Sequence, residues 1–256
     1  MIEYLHIHWE LAILFFTIAM LYASVGFGGG SSYLAILVLT SMNFQEVRAT
    51  ALICNIVVVS NAVFTHLKKK HYSLKETIPL VITSVPFAFI GGYLKISKEI
   101  FYPMLAICLL TSAILMIIRI KKHSQLNQSV STFKHLGYGG AIGLLSGAVG
   151  IGGGIFLAPL LHLTRWNTPL RIAAISSIFI WVNSISGLIG QCLNPELHLN
   201  LGTTAVLSIS VLLGGAIGTY AGVNLANAKT LKLGTAFLVA YVAIRILIEH
   251  SFNFLN

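Results

Sequence analysis

Long apolar stretches separated by short polar ones fill most of the chain. Bilayer hydrocarbon is about 30 Å thick and a helix rises about 1.5 Å per residue, so one crossing needs about 20 apolar residues. Six stretches meet that length, roughly 47–67, 75–95, 100–118, 172–190, 202–223 and 232–249. Each is predicted to be one transmembrane helix. Two further apolar regions, about 10–41 and 136–164, are too long for a single span, and glycines interrupt both. They are predicted to be pairs of short helices.

The two interruptions are near copies. VGFGGG at Val25–Gly30 returns as VGIGGG at Val149–Gly154, 124 residues later. With one residue of drift the match continues at an offset of 123. It pairs Arg48 with Arg171, Ser60 and Asn61 with Asn183 and Ser184, and Gly91 and Gly92 with Gly214 and Gly215. Four landmarks in the same order point to an internal duplication. The first repeat is 1–118 and the second 135–256, joined by a basic linker over 119–134.

Lys and Arg accumulate in cytoplasmic loops, which sets the orientation. Lys68, Lys69, Lys70 and Lys75, then Arg119, Lys121, Lys122 and Lys134, then Arg165, Arg171, Lys229 and Lys232 put 12 basic residues on one side, and Arg48, Lys95, Lys98 and Arg245 put 4 on the other. Six alternating spans give that division only if each glycine-interrupted region enters and leaves on one side, as a re-entrant hairpin or as two short spans. The first then opens outside and the second inside. The fold expected is an all-α polytopic membrane protein of two inverted-topology repeats, each a glycine-broken helical hairpin followed by three transmembrane helices.

Composition narrows the function. The chain of 256 residues is 56% hydrophobic and 9% charged, too few charges to cover a soluble surface. Its net charge of +9 is dispersed in loops between apolar runs, which reads as a membrane surface and not as a nucleic-acid face. All seven acids are glutamate, which excludes aspartyl chemistry. Cys54, Cys108 and Cys192 are widely spaced free thiols without a metal or redox pattern. The first residues, MIEYLHIHWE, lack a basic start and a small-residue cleavage site, so no removable leader is expected. A GxGxxG nucleotide fingerprint would need glycine where Ser31 stands, and no Walker lysine follows, so no cofactor is expected.

The glycine runs are the candidate site. Three glycines inside an apolar helix cost about 1 kcal/mol each relative to alanine and free backbone groups that lipid cannot satisfy. The helix that restarts after them presents unpaired N–H groups and a positive dipole end, both suited to an anion. Gly28, Gly29, Gly30 and Ser31, with Gly152, Gly153 and Gly154, are therefore candidate substrate contacts. Close helix packing is the alternative. Thr50, Cys54, Asn61 and Thr65 form a weakly polar stripe on one helix, and Ser177 and Ser184 match Cys54 and Asn61 in the second copy. Asn61, Asn183, Ser177 and Ser184 join the candidates, because neutral amides and hydroxyls replace hydration without trapping an anion. Asn55 lies on another face and is the weaker choice. Arg48 and Arg171 open corresponding helices, either snorkelling to headgroups or funnelling anions at each mouth. His162 is the titratable group inside the second apolar hairpin, with a proton-linked role set against a structural one. The histidines show no metal-ligand spacing.

These motifs resemble the TauE/SafE family of bacterial membrane transporters, the sulfite exporter-like permeases, over nearly the whole chain. Its hallmark is a duplicated GxGGG, an apolar run usually holding proline, then a polar turn and a helix opening with Ala, Thr and Ser. The second copy, GIGGGIFLAPLLHLTRWNTPLRIAAISS, matches closely and includes Pro159. The first, GFGGGSSYLAILVLTSMNFQEVRATAL, has Ala35 at the proline position and polar Ser31 and Ser32 where apolar residues are usual. What the resemblance implies is a permease in the cytoplasmic membrane for a small anion, such as sulfite, a sulfonate or another sulfur-containing metabolite, with Pro159 among the gating elements.

An anion channel, an intramembrane enzyme and an assembly subunit are the alternatives. The enzyme lacks a nucleophile turn, an aspartyl dyad and a metal motif. The partners expected are a small anion and the bilayer, with a homo-oligomer left open. No ATP-binding segment is visible, and every glutamate falls at a span end or loop. Movement is then uncoupled, or a proton travels on the substrate or on His162.

Overall fold

The computed structural model describes residues 2–23, 28–40, 42–68, 74–120, 132–164 and 166–221, with isolated positions between 237 and 248. The described elements are helices: α1 (Ile2–Ala23), α2 (Gly30–Leu37), α3 (Phe44–Lys68), α4 (Leu74–Tyr93), α5 (Lys98–Ile120), α6 (Thr132–Val149), α7 (Gly154–Leu163), α8 (Pro169–Cys192) and α9 (Leu201–Ala221). Four of them, over 44–68, 75–93, 170–192 and 201–220, are long and apolar enough to cross a membrane. They coincide with four of the six spans read from the sequence. A fifth, over 100–118, falls within α5, 23 residues long. The sixth, over 232–249, lies mostly outside the described residues, as do linker positions 121–131.

Both glycine-interrupted regions are broken helices. At about 1.5 Å per residue, the 8 residues of α2 and the 10 of α7 reach only part-way across hydrocarbon. Thr168 caps α8 ahead of Pro169 at its first turn, the usual way to start a helix after a polar turn. Pro159 stands inside α7 and removes the donor that would reach the carbonyl four residues back.

Small residues decide how the long helices meet. Along α6, Gly139, Gly143 and Gly147 sit directly on the carbonyl oxygens of Leu80, Ser84 and Ala88 of α4. Both series rise by four, so α4 and α6 run parallel with touching backbones. Gly214 and Gly218 of α9 sit on the carbonyls of Phe16 and Met20 of α1 in the same way. Gly91 and Gly92 press on α6 and α8, and their counterparts Gly214 and Gly215 on α1 and α3. The glycines paired in the sequence match are therefore packing contacts. At the centre, α3 and α8 pack on each other, flanked by α4 with α6 and by α1 with α9.

The helix ends fix the directions. Gln45 Nε2 donates to Glu196 Oε2 at 2.8 Å and the Asn200 N–H to Glu46 Oε1 at 3.1 Å, so α3 begins beside the loop joining α8 to α9. Arg171 Nη1 lies 3.7 Å from Glu76 Oε1, and Asn167 Nδ2 donates to the same oxygen at 3.3 Å, so α8 begins beside the start of α4. The corresponding helices α3 and α8 thus run antiparallel. Because α1 is parallel to α9, the pair α1–α2 leaves and returns to the end where α3 starts. His135 of α6 meets Trp166, just before α8, edge-on at 5.3 Å, so α6–α7 leaves and returns to the opposite end.

Polarity is turned inward. Ser31, Ser32, Thr50, Asn55, Ser146, Ser176, Ser177, Asn183 and Ser184 are buried, while Ile78, Ile82, Phe87 and Ile90 of α4 and Ile209, Leu212, Leu213 and Ile217 of α9 are exposed. That arrangement suits a lipid surround.

Candidate functional site

The tips of the two hairpins meet in the middle of the bundle. Gly29 (φ 85°) turns the chain into α2, and Gly153 (φ 81°), its counterpart, turns it into α7; Gly150 (87°) and Gly152 (80°) complete the second break. L-residues with a side chain rarely take this conformation. The Gly29 carbonyl accepts from the N–H groups of Ser32 and Tyr33 at 3.0 Å, and that of Gly153 from Phe156 and Leu157 at 3.1 Å. The N–H groups of Gly30, Ser31, Gly154 and Ile155 belong to first turns and have no intrahelical acceptor.

Asn55 joins the breaks. Its Nδ2 donates to the Ile151 carbonyl at 2.8 Å. A Cβ added at Gly28 would lie 2.7 Å from Asn55 Oδ1, and one at Gly152 would lie 2.8 Å from Nδ2 and 2.7 Å from Ser184 Oγ. One at Gly30 would meet the Ile151 carbonyl at 2.5 Å. Packing therefore accounts for glycine at 28, 30 and 152. The same contact leaves polar atoms bare: Asn55 Oδ1, Ser184 Oγ, Ser146 Oγ and Tyr33 Oη are buried without a hydrogen-bond partner. Ser146 lies against the second break and Tyr33 against the first. A leucine at Gly29 or Gly153 would force a positive φ and drive carbon onto Tyr33 or Phe179, so either change reports on folding before it reports on binding.

Two turns along α3 from Asn55, on the same face, is Arg48. It is 2% exposed. One Nη donates to the Gly147 carbonyl at 3.2 Å and to that of Gly91 at 3.4 Å, and the guanidinium carbon lies 6.0 Å from the centre of the Phe101 ring. Both carbonyls fall within the last turns of α6 and α4, where helix carbonyls lack partners and the dipole is negative. Nε is unpartnered, and among the described residues no carboxylate pairs with the group. Gly150 of the second break rests on the Arg48 backbone, 3.0 Å from Cα to an added Cβ. A buried cation, held by helix-end carbonyls, thus stands beside the break.

Comparison with known proteins identifies the setting. The family model described as sulfite exporter TauE/SafE matches residues 11–246. The chain belongs to the TauE/SafE family. A probable membrane transporter protein of Sinorhizobium fredii is 30% identical over 247 residues, covering 93% of this chain and 97% of the relative. A probable membrane transporter protein of Methanocaldococcus jannaschii is 33% identical over 133 residues, 50% of this chain and 49% of the relative. No solved structure matches significantly. As a TauE/SafE protein the chain is a multi-pass membrane transporter, in keeping with its apolar helices.

Within this TauE/SafE fold the other predicted residues are scattered. Asn61 is partly exposed, six residues beyond Asn55 and on a different face of α3. Thr50 of the predicted polar stripe meets Thr204 of α9 at 3.3 Å, away from the breaks. Ser177 donates to Ala173 of its own helix, and Asn183 Nδ2 to Phe179 of its own, leaving the Asn183 Oδ1 buried and unpartnered. Ser31 is buried in the first turn of α2, beside Ser32, which shares a 2.8 Å hydrogen bond with Tyr22. Arg48 is enclosed instead of snorkelling, whereas Arg171 keeps a half-exposed side chain at the opposite end. His162 lies in α7, and its side chain is outside the described residues. Sequence reasoning ranked Asn55 as the weaker choice and did not single out Ser146; both reach the breaks through contacts between elements far apart in the chain.

Proposed function

We propose that this protein is a secondary transporter, resident in the bacterial cytoplasmic membrane, that moves a small sulfur-containing oxyanion such as sulfite or a sulfonate past the contact of its two glycine breaks. The observation that carries this reading is the cluster of unpartnered buried polar atoms at that contact. Each costs about 1–3 kcal/mol in a low-dielectric core, so several together favour a ligand that pairs with them. Most of these groups donate: the hydroxyls of Ser146, Ser184 and Tyr33, the first-turn N–H groups, and the two positive helix ends. The charge of Arg48 adds to them. An anion fits that balance, and the family's description and the names of the relatives fit transport. Purified protein in liposomes tests it against sulfite, sulfate, thiosulfate, sulfonates and small carboxylates. Saturable movement of a sulfur oxyanion is expected; movement of none would discard the reading, and channel-like turnover would replace a carrier with a channel.

The halves 1–118 and 135–256 act, on this reading, as inverted-topology repeats with the binding contact between them. Antiparallel α3 and α8, and hairpins arriving from opposite ends, support it. The basic 68–75 loop places the start of α4 inside, and hence the end of α8 outside. Cys192, the last residue of α8, is exposed, while Cys54 and Cys108 are buried. An impermeant thiol reagent should label Cys192 in intact cells, and a Ser73→Cys substitution only after the membrane is opened. The reverse pattern would invert the orientation.

A further inference from the structure

Half of the Asn55 amide is spoken for and half is not. Nδ2 donates to the Ile151 carbonyl at 2.8 Å, which fixes the orientation, because a turned amide would set oxygen against oxygen. Oδ1 is therefore a committed acceptor. It is fully buried and unpartnered, and it faces the first break, 2.7 Å from a Cβ placed on Gly28. Against the other half of the amide lie Gly30 and Gly152, both packed on Nδ2, with the unpartnered Ser184 hydroxyl across Gly152 and the first-turn N–H groups of α2 starting at Gly30.

We propose that Oδ1 of Asn55 selects the monoprotonated form of the oxyanion, hydrogensulfite over the sulfite dianion or an alkylsulfonate, by accepting a hydrogen bond from its proton. The proposal rests on the transport reading and narrows its substrate. A ligand reaches Oδ1 when the α1–α2 hairpin moves off Asn55, with the bond to Ile151 kept. Its bare oxygens then meet N–H and hydroxyl donors, and its proton meets Oδ1. A dianion or an alkylsulfonate brings lone pair against lone pair. In a site closed to water that mismatch amounts to roughly 10- to 100-fold in transport preference. The proton crosses on the substrate and is released by ordinary dissociation on the far side. No buried carboxylate is needed, and none of Glu10, Glu46, Glu76, Glu99 and Glu196 is buried.

The test compares sulfite with methanesulfonate, an anion of one charge and no acidic proton, in liposomes holding wild-type protein. Sulfite flux at fixed total concentration should fall with rising pH in step with the hydrogensulfite fraction. Methanesulfonate flux should be roughly 10- to 100-fold slower and flat with pH. In an Asn55→Thr variant, whose hydroxyl both donates and accepts, the ratio of the two fluxes should move toward one; a ratio is independent of how much protein is folded. Equal fluxes of the two anions in the wild type, sulfite flux indifferent to pH, or an unchanged ratio in the variant would overturn the proposal and leave the transport reading standing. If the variant moves neither anion, the wild-type ratio and pH profile decide. Absence of flux for every anion would overturn both.

Discussion

Arg48→Ala should lower the thermal unfolding temperature of the purified protein by about 5–15 °C, while Arg171→Ala should change it by no more than a degree or two. The two arginines pair in the sequence match at an offset of 123, so sequence alone gives them equal weight. Their surroundings separate them. Removing the Arg48 guanidinium leaves the carbonyls of Gly91 and Gly147 without its donors at two buried helix ends, at about 1–3 kcal/mol each. It also empties the space beside Phe101. Relief from burying a charge opposes these losses and brings the net to about 2–4 kcal/mol, or about 2–4 °C for each kcal/mol in a chain of this size. Arg171 has a side chain 49% exposed and a 3.7 Å contact to Glu76, an ion pair of the kind worth about 0–1 kcal/mol. Unfolding curves in one detergent decide it, and equal shifts would show that Arg48 does not hold the ends of α4 and α6.

A larger effect is expected from Gly143→Val. Any Cβ at that position overlaps the Ser84 carbonyl and stands 2.7 Å from the Ser84 Cα, so the backbones of α4 and α6 must separate along their whole contact. The cost is at least about 3 kcal/mol, and little monodisperse protein should be recovered. Gly137, six residues earlier on the same helix, has no heavy atom within 4 Å of an added Cβ. Gly137→Ala should therefore gain about 0.5–1 kcal/mol, the helix-propensity difference alone. If both variants behave like the wild type, α4 and α6 do not touch as described.

Periodicity and the recurring glycine runs made the helices and the two breaks legible, because these are local or self-referential signals. Partner choice was not. The polar stripe of α3 drew attention to Asn61, yet α3 is enclosed on most sides, and which neighbour each face meets depends on helices more than a hundred residues away. Asn55 therefore looked peripheral while lying against both breaks. Arg48 looked interfacial because it opens a helix; the ends of α4 and α6, which draw it inward, are set by packing that begins with Gly139, Gly143 and Gly147. Packing and binding at the glycine runs were posed as rivals from sequence; the contact of the hairpin tips is close packing that also leaves buried polar atoms without partners.

The most direct measurement is the initial rate of sulfite uptake into liposomes holding equal amounts of monodisperse wild-type protein or its Ser184→Ala variant. Ser184 Oγ has no partner in the closed contact, so its removal costs the fold little and removes a donor from the site. Saturable uptake by the wild type, reduced about 5- to 100-fold in the variant at unchanged thermal stability, is the expected result. Uptake at the wild-type rate in the variant, or none in either, would contradict a substrate site at the meeting of the two glycine breaks.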